Sequence, residues 1–269
     1  MSFISKGKFG QVFHYNDPIS GLPRAIKMIN NKEARNYENE CMMAVITRDF
    51  QHTITCYKSF MVDDNVCLVM ELAKSDLYSA FVDVDPSEAV AASLFHRVCT
   101  AVEELHNNNI AHLDLKLENI LITASGSLKI CDFGSAMLLD SLEAELPGHV
   151  IGSPVYGAPE LTTRGIFQPL KADMWSLGVI LHLLLLKSFP VNKVTKNLTP
   201  MTMNYSGLAK VSPNARDLLQ KLICFNPDSR PSIKEVLEHP FLAVNNPSNS
   251  KIKRKSVKSK LMRVVLKKY

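Results

Sequence analysis

Near Leu72 the sequence changes its period. Before that point apolar and β-branched residues come in short runs that suit strands, around Ala25–Ile29 and Val66–Met70. A glycine-bearing turn lies at 5–10, and one segment, Lys32–Thr47, reads as a helix. Beyond Ser75 helical spacing takes over: Ala89–Asn107 and Ala172–Leu186 are apolar enough for core helices. Two short strands, Asn119–Ile122 and Leu128–Ile130, are parted by a Ser-Gly turn. A chain patterned this way segregates its sheet from its helices, which is α+β organisation. We expect a small sheet lobe over 1–72, a larger mainly helical lobe over 73–244, and a basic, flexible tail over 245–269.

Composition narrows the function classes. With 269 residues, 46% of them hydrophobic, there is chain enough to bury a core. Six cysteines lack any C-x-x-C or paired Cys/His spacing, so neither a disulfide framework nor a zinc site is suggested. The N-terminus shows no signal-peptide pattern, and the longest apolar stretch, Leu177–Leu186, is too short to span a bilayer, so no transmembrane segment and a cytoplasmic or nuclear location are expected. Residues 251–269 carry nine Lys/Arg and no acid, leaving a mildly acidic body. Val257, Leu261, Val264 and Val265 fall at helical spacing in that tail, which is read as a solvated extension or as a contact for nucleic acid, an anionic surface or calmodulin.

Ser5-Lys6-Gly7-Lys8-Phe9-Gly10-Gln11-Val12 is by itself a weak signal, since a glycine hairpin is a common turn as well as a phosphate cradle. Order and spacing strengthen it. Ala25-Ile26-Lys27 follows on an expected strand, and His112-Leu113-Asp114-Leu115-Lys116-Leu117-Glu118-Asn119 follows a long helix. Asp132-Phe133-Gly134 comes thirteen residues after Asn119, then Ala158-Pro159-Glu160, Asp173-Met174-Trp175-Ser176-Leu177-Gly178 and Asn226-Pro227-Asp228-Ser229-Arg230-Pro231. This ordered set resembles the eukaryotic-type serine/threonine protein kinases over residues 4–242.

The resemblance implies a bilobal fold with an antiparallel N-terminal sheet, and ATP and Mg²⁺ as cofactors. Lys27 would bind phosphates, held by Glu40, with Glu38 the second choice. Asp114 would accept the substrate hydroxyl proton beside Lys116, and Asn119 and Asp132 would ligate Mg²⁺ through oxygen. Ile4, Ser5, Gly7, Gly10, Val12, Ala25, Met70, Glu71, Leu72 and Leu121 would surround the nucleotide. Asp76 would touch ribose, or simply cap a helix. Glu160 with Arg230 would form a structural ion pair, and Asp173 would brace the catalytic loop. Lys116 and Gly152-Ser153-Pro154-Val155-Tyr156 fit serine/threonine substrates, and Glu118 suggests a preference for basic ones.

Some positions depart from the family pattern. Ser5 replaces the first glycine of the phosphate loop, and little sequence precedes it, as in a compact, viral-type kinase or a truncated chain. Leu113 stands where kinases switched on by loop phosphorylation carry an arginine, so activity without that phosphorylation is expected. The rival expectation is a pseudokinase that binds nucleotide or partners without catalysis. A monomer is expected.

Overall fold

The structure, a computed structural model, describes residues 1–7, 10–30, 37–147, 152–162, 165–191 and 207–245. Lys8, Phe9, Glu33 with the first residues of the expected helix, and the basic tail from residue 246 lie outside them.

The N-terminal part is a five-stranded antiparallel sheet in the order β1-β2-β3-β5-β4. Its strands are β1 (Ser2–Gly7), β2 (Gly10–Asn16), β3 (Pro23–Asn30), β4 (Cys56–Val62) and β5 (Asn65–Glu71), with helix α1 (Tyr37–Ile46) inserted after β3. Period-two alternation divides the sheet's apolar side chains between two faces. Ile26, Cys67 and Val69 form a small cluster on one, and Ile29, Val66 and Leu68 form another beneath α1. The register pairs Val12 with Lys27 and Ala25 with Met70, which puts Val12, Ala25, Lys27 and Met70 on the α1 face. Gly10 is required where β2 crosses β3, because a Cβ there would come within 2.3 Å of the Met28 carbonyl oxygen.

The rest of the described chain is mainly helical. In order come β6 (Ser75–Asp76), α2 (Leu77–Phe81), α3 (Glu88–His106), β7 (Ile110–Ala111), β8 (Ile120–Ile122), β9 (Leu128–Ile130), β10 (Met137–Leu138), β11 (Leu146–Pro147), β12 (Ile166–Phe167), α4 (Pro169–Leu186), α5 (Pro213–Leu222), α6 (Ile233–Glu238) and α7 (Pro240–Asn245). One continuous apolar core joins α3, α4 and the later helices around Phe95, Leu105, Trp175, Leu177 and Phe241. The two parts are bound at the back, where Ile54 N–H donates to the Ile130 carbonyl (2.9 Å) and Ile130 N–H to that of His52 (2.7 Å). The Glu104 carboxylate of α3 accepts the backbone N–H groups of Gln51 and His52, each at 2.8 Å.

Three expectations need correction. Asn119 sits in a 3-10 turn, Leu117–Asn119, and the strand starts at Ile120, because the Asn119 side chain is drawn to the backbone of Asp114. Helix α4 starts at Pro169, three residues before its expected start, and the fixed φ of proline suits a first turn. Its 18 residues are therefore long and apolar enough to cross a membrane, and what marks α4 as a core helix is that 72% of it is buried within the fold. The last helix continues to Asn245, where a linker was expected to begin.

Candidate active site

Lys27 projects from β3, and its ammonium is grasped from two sides. Nζ donates to Glu40 Oε1 on α1 and, at 2.9 Å, to Asp132 Oδ1 in the segment after β9. Glu40, not Glu38, is thus the carboxylate that meets Lys27. Both members are buried, Lys27 at 7% and Glu40 at 5% exposure. Burial alone would favour a neutral lysine, yet the Glu40 and Asp132 charges outweigh it and hold the ammonium well above the usual lysine range. Burial pushes Glu40 upward against the pull of Lys27, and the Asp132 charge pushes the same way. Asp132, although burial also opposes its charge, is drawn below the usual carboxylate range by Lys27.

Asp114 lies just beyond β7, on a loop held by Asp173 of α4. The Asp173 carboxylate accepts the N–H groups of His112 and Leu113, each at 2.8 Å, and contacts His106 Nε2 at 3.1 Å. Those bonds hold Leu113 at φ 60, a left-handed conformation that non-glycine residues keep only under constraint. Asp114 Oδ2 accepts from Lys116 Nζ (2.7 Å) and Asn119 Nδ2 (3.2 Å), whereas Oδ1 is buried with no hydrogen-bond partner among the described residues. A buried acceptor left unmade costs about 1–3 kcal/mol, so its retention points to use by a visiting donor. Lys116 Nζ also donates to Ser153 Oγ at 3.0 Å, bridging Asp114 to the segment across the cleft.

That segment is pressed against the loop. Gly152 has φ 75, and a Cβ there would fall 2.3 Å from the Leu113 carbonyl oxygen, so only glycine fits this approach. Two short antiparallel ladders pair β10 with β7 and β11 with β12, holding Met137–Leu138 and Leu146–Pro147 after Asp132. Leu113 is buried in the main core. Arg230, 1% exposed, makes a bidentate pair with Glu160 at 2.6 and 2.8 Å, tying that segment to the helical part.

The comparisons agree with this geometry. A family model described as the protein kinase domain matches residues 1–242. Among curated proteins the chain is similar to serine/threonine-protein kinase kin-29 of Caenorhabditis elegans, 32% identical over 90% of this chain and 30% of that protein. It is also similar to serine/threonine-protein kinase PLK4 of Danio rerio (31%, over 93% and 28%) and to protein kinase domain-containing protein ppk9 of Schizosaccharomyces pombe (29%, over 93% and 47%). The chain therefore spans less than half the length of each of these relatives. The chain belongs to the protein kinase domain family. Its sheet and helical parts are the two lobes of the α+β kinase fold.

Kinases use ATP with Mg²⁺, and the residues present suit both. Among the described residues no three or more His, Cys, Asp or Glu converge as a standing metal cage. Asp132 and Asn119 instead offer one carboxylate and one amide oxygen, the sparse hard-oxygen set that Mg²⁺ accepts when substrate phosphates and water complete its shell. The Asn119 amide nitrogen is spent on the carbonyl (2.9 Å) and Oδ2 of Asp114, which leaves its oxygen for a cation. Val12, Ala25 and Met70 share the Lys27 side of the sheet. Leu121, half-buried on β8 and paired in register with Asp76, belongs to the helical lobe. Glu71 and Leu72 follow at the end of β5, where Glu71 N–H donates to the Thr55 carbonyl at 2.9 Å. Ile4, Ser5, Gly7 and Gly10 lie along the β1–β2 hairpin, Gly7 paired with Gly10. Asp76 caps α2, accepting from Ser79 N–H (2.7 Å) and Ser79 Oγ (2.6 Å), so both its oxygens are engaged locally. The capping role is the one observed.

Two contributors escaped the sequence. Asn39, next to Glu40, donates to two carbonyls of the segment after Asp132. Lys129 on β9 pairs with Glu71 at 2.7 Å across the joint between the lobes. Neither position carries a motif; the only trace of Lys129 is its place between buried Leu128 and Ile130.

Proposed function

We propose that this chain transfers the γ-phosphoryl group of ATP, with Mg²⁺, to serine or threonine hydroxyls of protein substrates. The observation that carries the reading is the buried Oδ1 of Asp114, unpartnered among the described residues, beside Lys116, which bridges Asp114 to Ser153. Asp114 Oδ1 accepts the proton of the incoming hydroxyl while Asn119 and Lys116 keep the carboxylate oriented through Oδ2. Lys116 places its ammonium where negative charge develops on the transferring group, and Lys27 holds phosphate oxygens from the sheet side. Bound through Asp132 and Asn119, Mg²⁺ would supply charge neutralisation at the phosphates. The Gly152–Tyr156 segment and Lys116 favour serine or threonine over tyrosine. Glu118, hydrogen-bonded by the Tyr156 hydroxyl at 3.2 Å, favours basic residues near the target. Buried Leu113 and the two short ladders support an activity that needs no phosphate on the loop. Cytosol or nucleus is the proposed place of action.

Phosphate transfer from labelled Mg-ATP to basic proteins, using unphosphorylated protein, tests this. Wild type should label substrate on Ser/Thr, and Asp114→Asn should be slower by about 10²–10⁴-fold. Nucleotide binding without any Asp114-dependent transfer would instead mark a binding scaffold.

A further inference from the structure

We propose that Asn39 is a positioning residue that sets the Mg²⁺ carboxylate, Asp132, from the opposite lobe; this rests on the kinase reading above. The Asn39 amide donates to the Ala136 carbonyl at 2.8 Å and to the Phe133 carbonyl at 3.2 Å. Both hydrogens of one side-chain amide on α1 are thus committed to a turn of the other lobe, Phe133–Ser135, that directly follows Asp132. The Phe133 carbonyl also receives the Ala136 N–H at 3.0 Å, so the turn is closed by its own backbone and then capped by Asn39.

The neighbouring residue on the helix completes the arrangement. Consecutive helical residues point about 100° apart, so Asn39 and Glu40 reach different targets from one turn. Glu40 holds Lys27, and Lys27 holds the Asp132 carboxylate. The same turn of α1 therefore acts on Asp132 twice, at its side chain indirectly through Lys27 of β3 and at its following backbone directly through the Asn39 amide. Asp132 itself sits at φ 66 and ψ 71, a left-handed conformation that a non-glycine residue keeps only where its surroundings impose it. The ion pair alone leaves the backbone free to rotate the carboxylate away from Asn119; the Asn39 bonds oppose that rotation. Met43, buried one turn further along α1 in the core shared with the helical lobe, anchors the helix that carries them.

The test uses the full chain with Asn39→Ala, Asn39→Asp and Asn39→Ser. Alanine removes both donors, aspartate sets acceptors against carbonyls, and serine keeps one donor. Hydrogen exchange of the 133–137 amides should speed up in the first two while α3 stays protected, which checks folding. Removing a partner that orients a metal ligand typically costs about 10–100-fold in metal affinity or activity. The Mg²⁺ concentration needed for half-maximal ATP binding should accordingly rise about tenfold in Asn39→Ala, with kcat down and the KM for protein substrate unchanged, and Asn39→Ser should lie between. A merely structural role would lower the melting temperature and leave the Mg²⁺ dependence alone. Exchange and Mg²⁺ dependence in Asn39→Ala within about twofold of wild type would overturn the assignment. If wild type transfers no phosphate, the kinase reading falls, while exchange at 133–137 and Mg²⁺-dependent ATP binding still decide the role of Asn39.

Discussion

The two lobes are built to different densities, and the cleft between them draws on both. The helical lobe has one continuous core in which Leu94, Phe95, Leu105, Leu115 and Leu177 are fully buried. The sheet lobe divides its apolar groups over two faces into clusters of three, and its edge strands β1 and β4 are exposed along most of their length. Asp114 and Asn119 belong to the dense lobe and are held by short-range hydrogen bonds on a loop that Asp173 braces. Lys27 comes from the thin lobe and is held by charge. On the proposed function, the groups that orient the acceptor lie in the densely packed lobe and those that meet the nucleotide lie in the thinly packed one.

The strongest challenge to this contrast is the Arg230–Glu160 pair. Replacing Arg230 by Met should destabilise the protein by about 3–5 kcal/mol in urea unfolding, because it removes the bidentate guanidinium from a poorly solvated carboxylate. The double variant Arg230→Met/Glu160→Gln should recover much of that loss, and no recovery would mean the rigidity of this lobe comes from elsewhere.

Next in size are truncations in the two cores. Leu105→Ala, in the continuous core, should cost about 3–5 kcal/mol, and Leu68→Ala, in the three-residue cluster, about 2–3 kcal/mol, since the thinner lobe collapses more easily around a lost side chain. Equal costs would break the comparison.

The smallest effect is in pH. Asp132 has its value lowered, so its stabilisation is fully present above the ordinary carboxylate range and lost only as pH falls through the lowered value. Glu40 has its value raised, so the folded state takes up that proton more readily than the unfolded chain, and acidification through this window does not oppose folding. Activity should therefore decline on the acid side before the melting temperature does. Glu40→Gln should start from lower activity and lose that separate acid limb; coincident declines in wild type would contradict the assignment.

Much of the fold could be read from period alone, because each strand and helix carries its own local pattern. Core helix α3 lies within one residue of its expected bounds at both ends. Less legible were features set by packing at a distance. Asn119 leaves its expected strand because Asp114 competes for its side chain, whereas the start of α4 at Pro169 is a local signal of ring geometry. In the site, residues inside motifs were visible from type and order. Asn39 and Lys129 were not, since an asparagine or lysine outside a motif looks the same in sequence whether it faces water or a group of the other lobe.

By itself the sequence picked out the candidate residues for the chemistry and showed that a sheet lobe precedes a helical one, because motif order and hydrophobic period are local properties of a chain. Only the tertiary structure decided which glutamate meets Lys27, that Asp76 caps α2, and that one turn of α1 reaches Asp132 both through Lys27 and at its following backbone. Those outcomes depend on contacts between groups such as Lys27 and Asp132, separated by 105 residues. Their distance is set by the packing of the whole core, not by any run of neighbours.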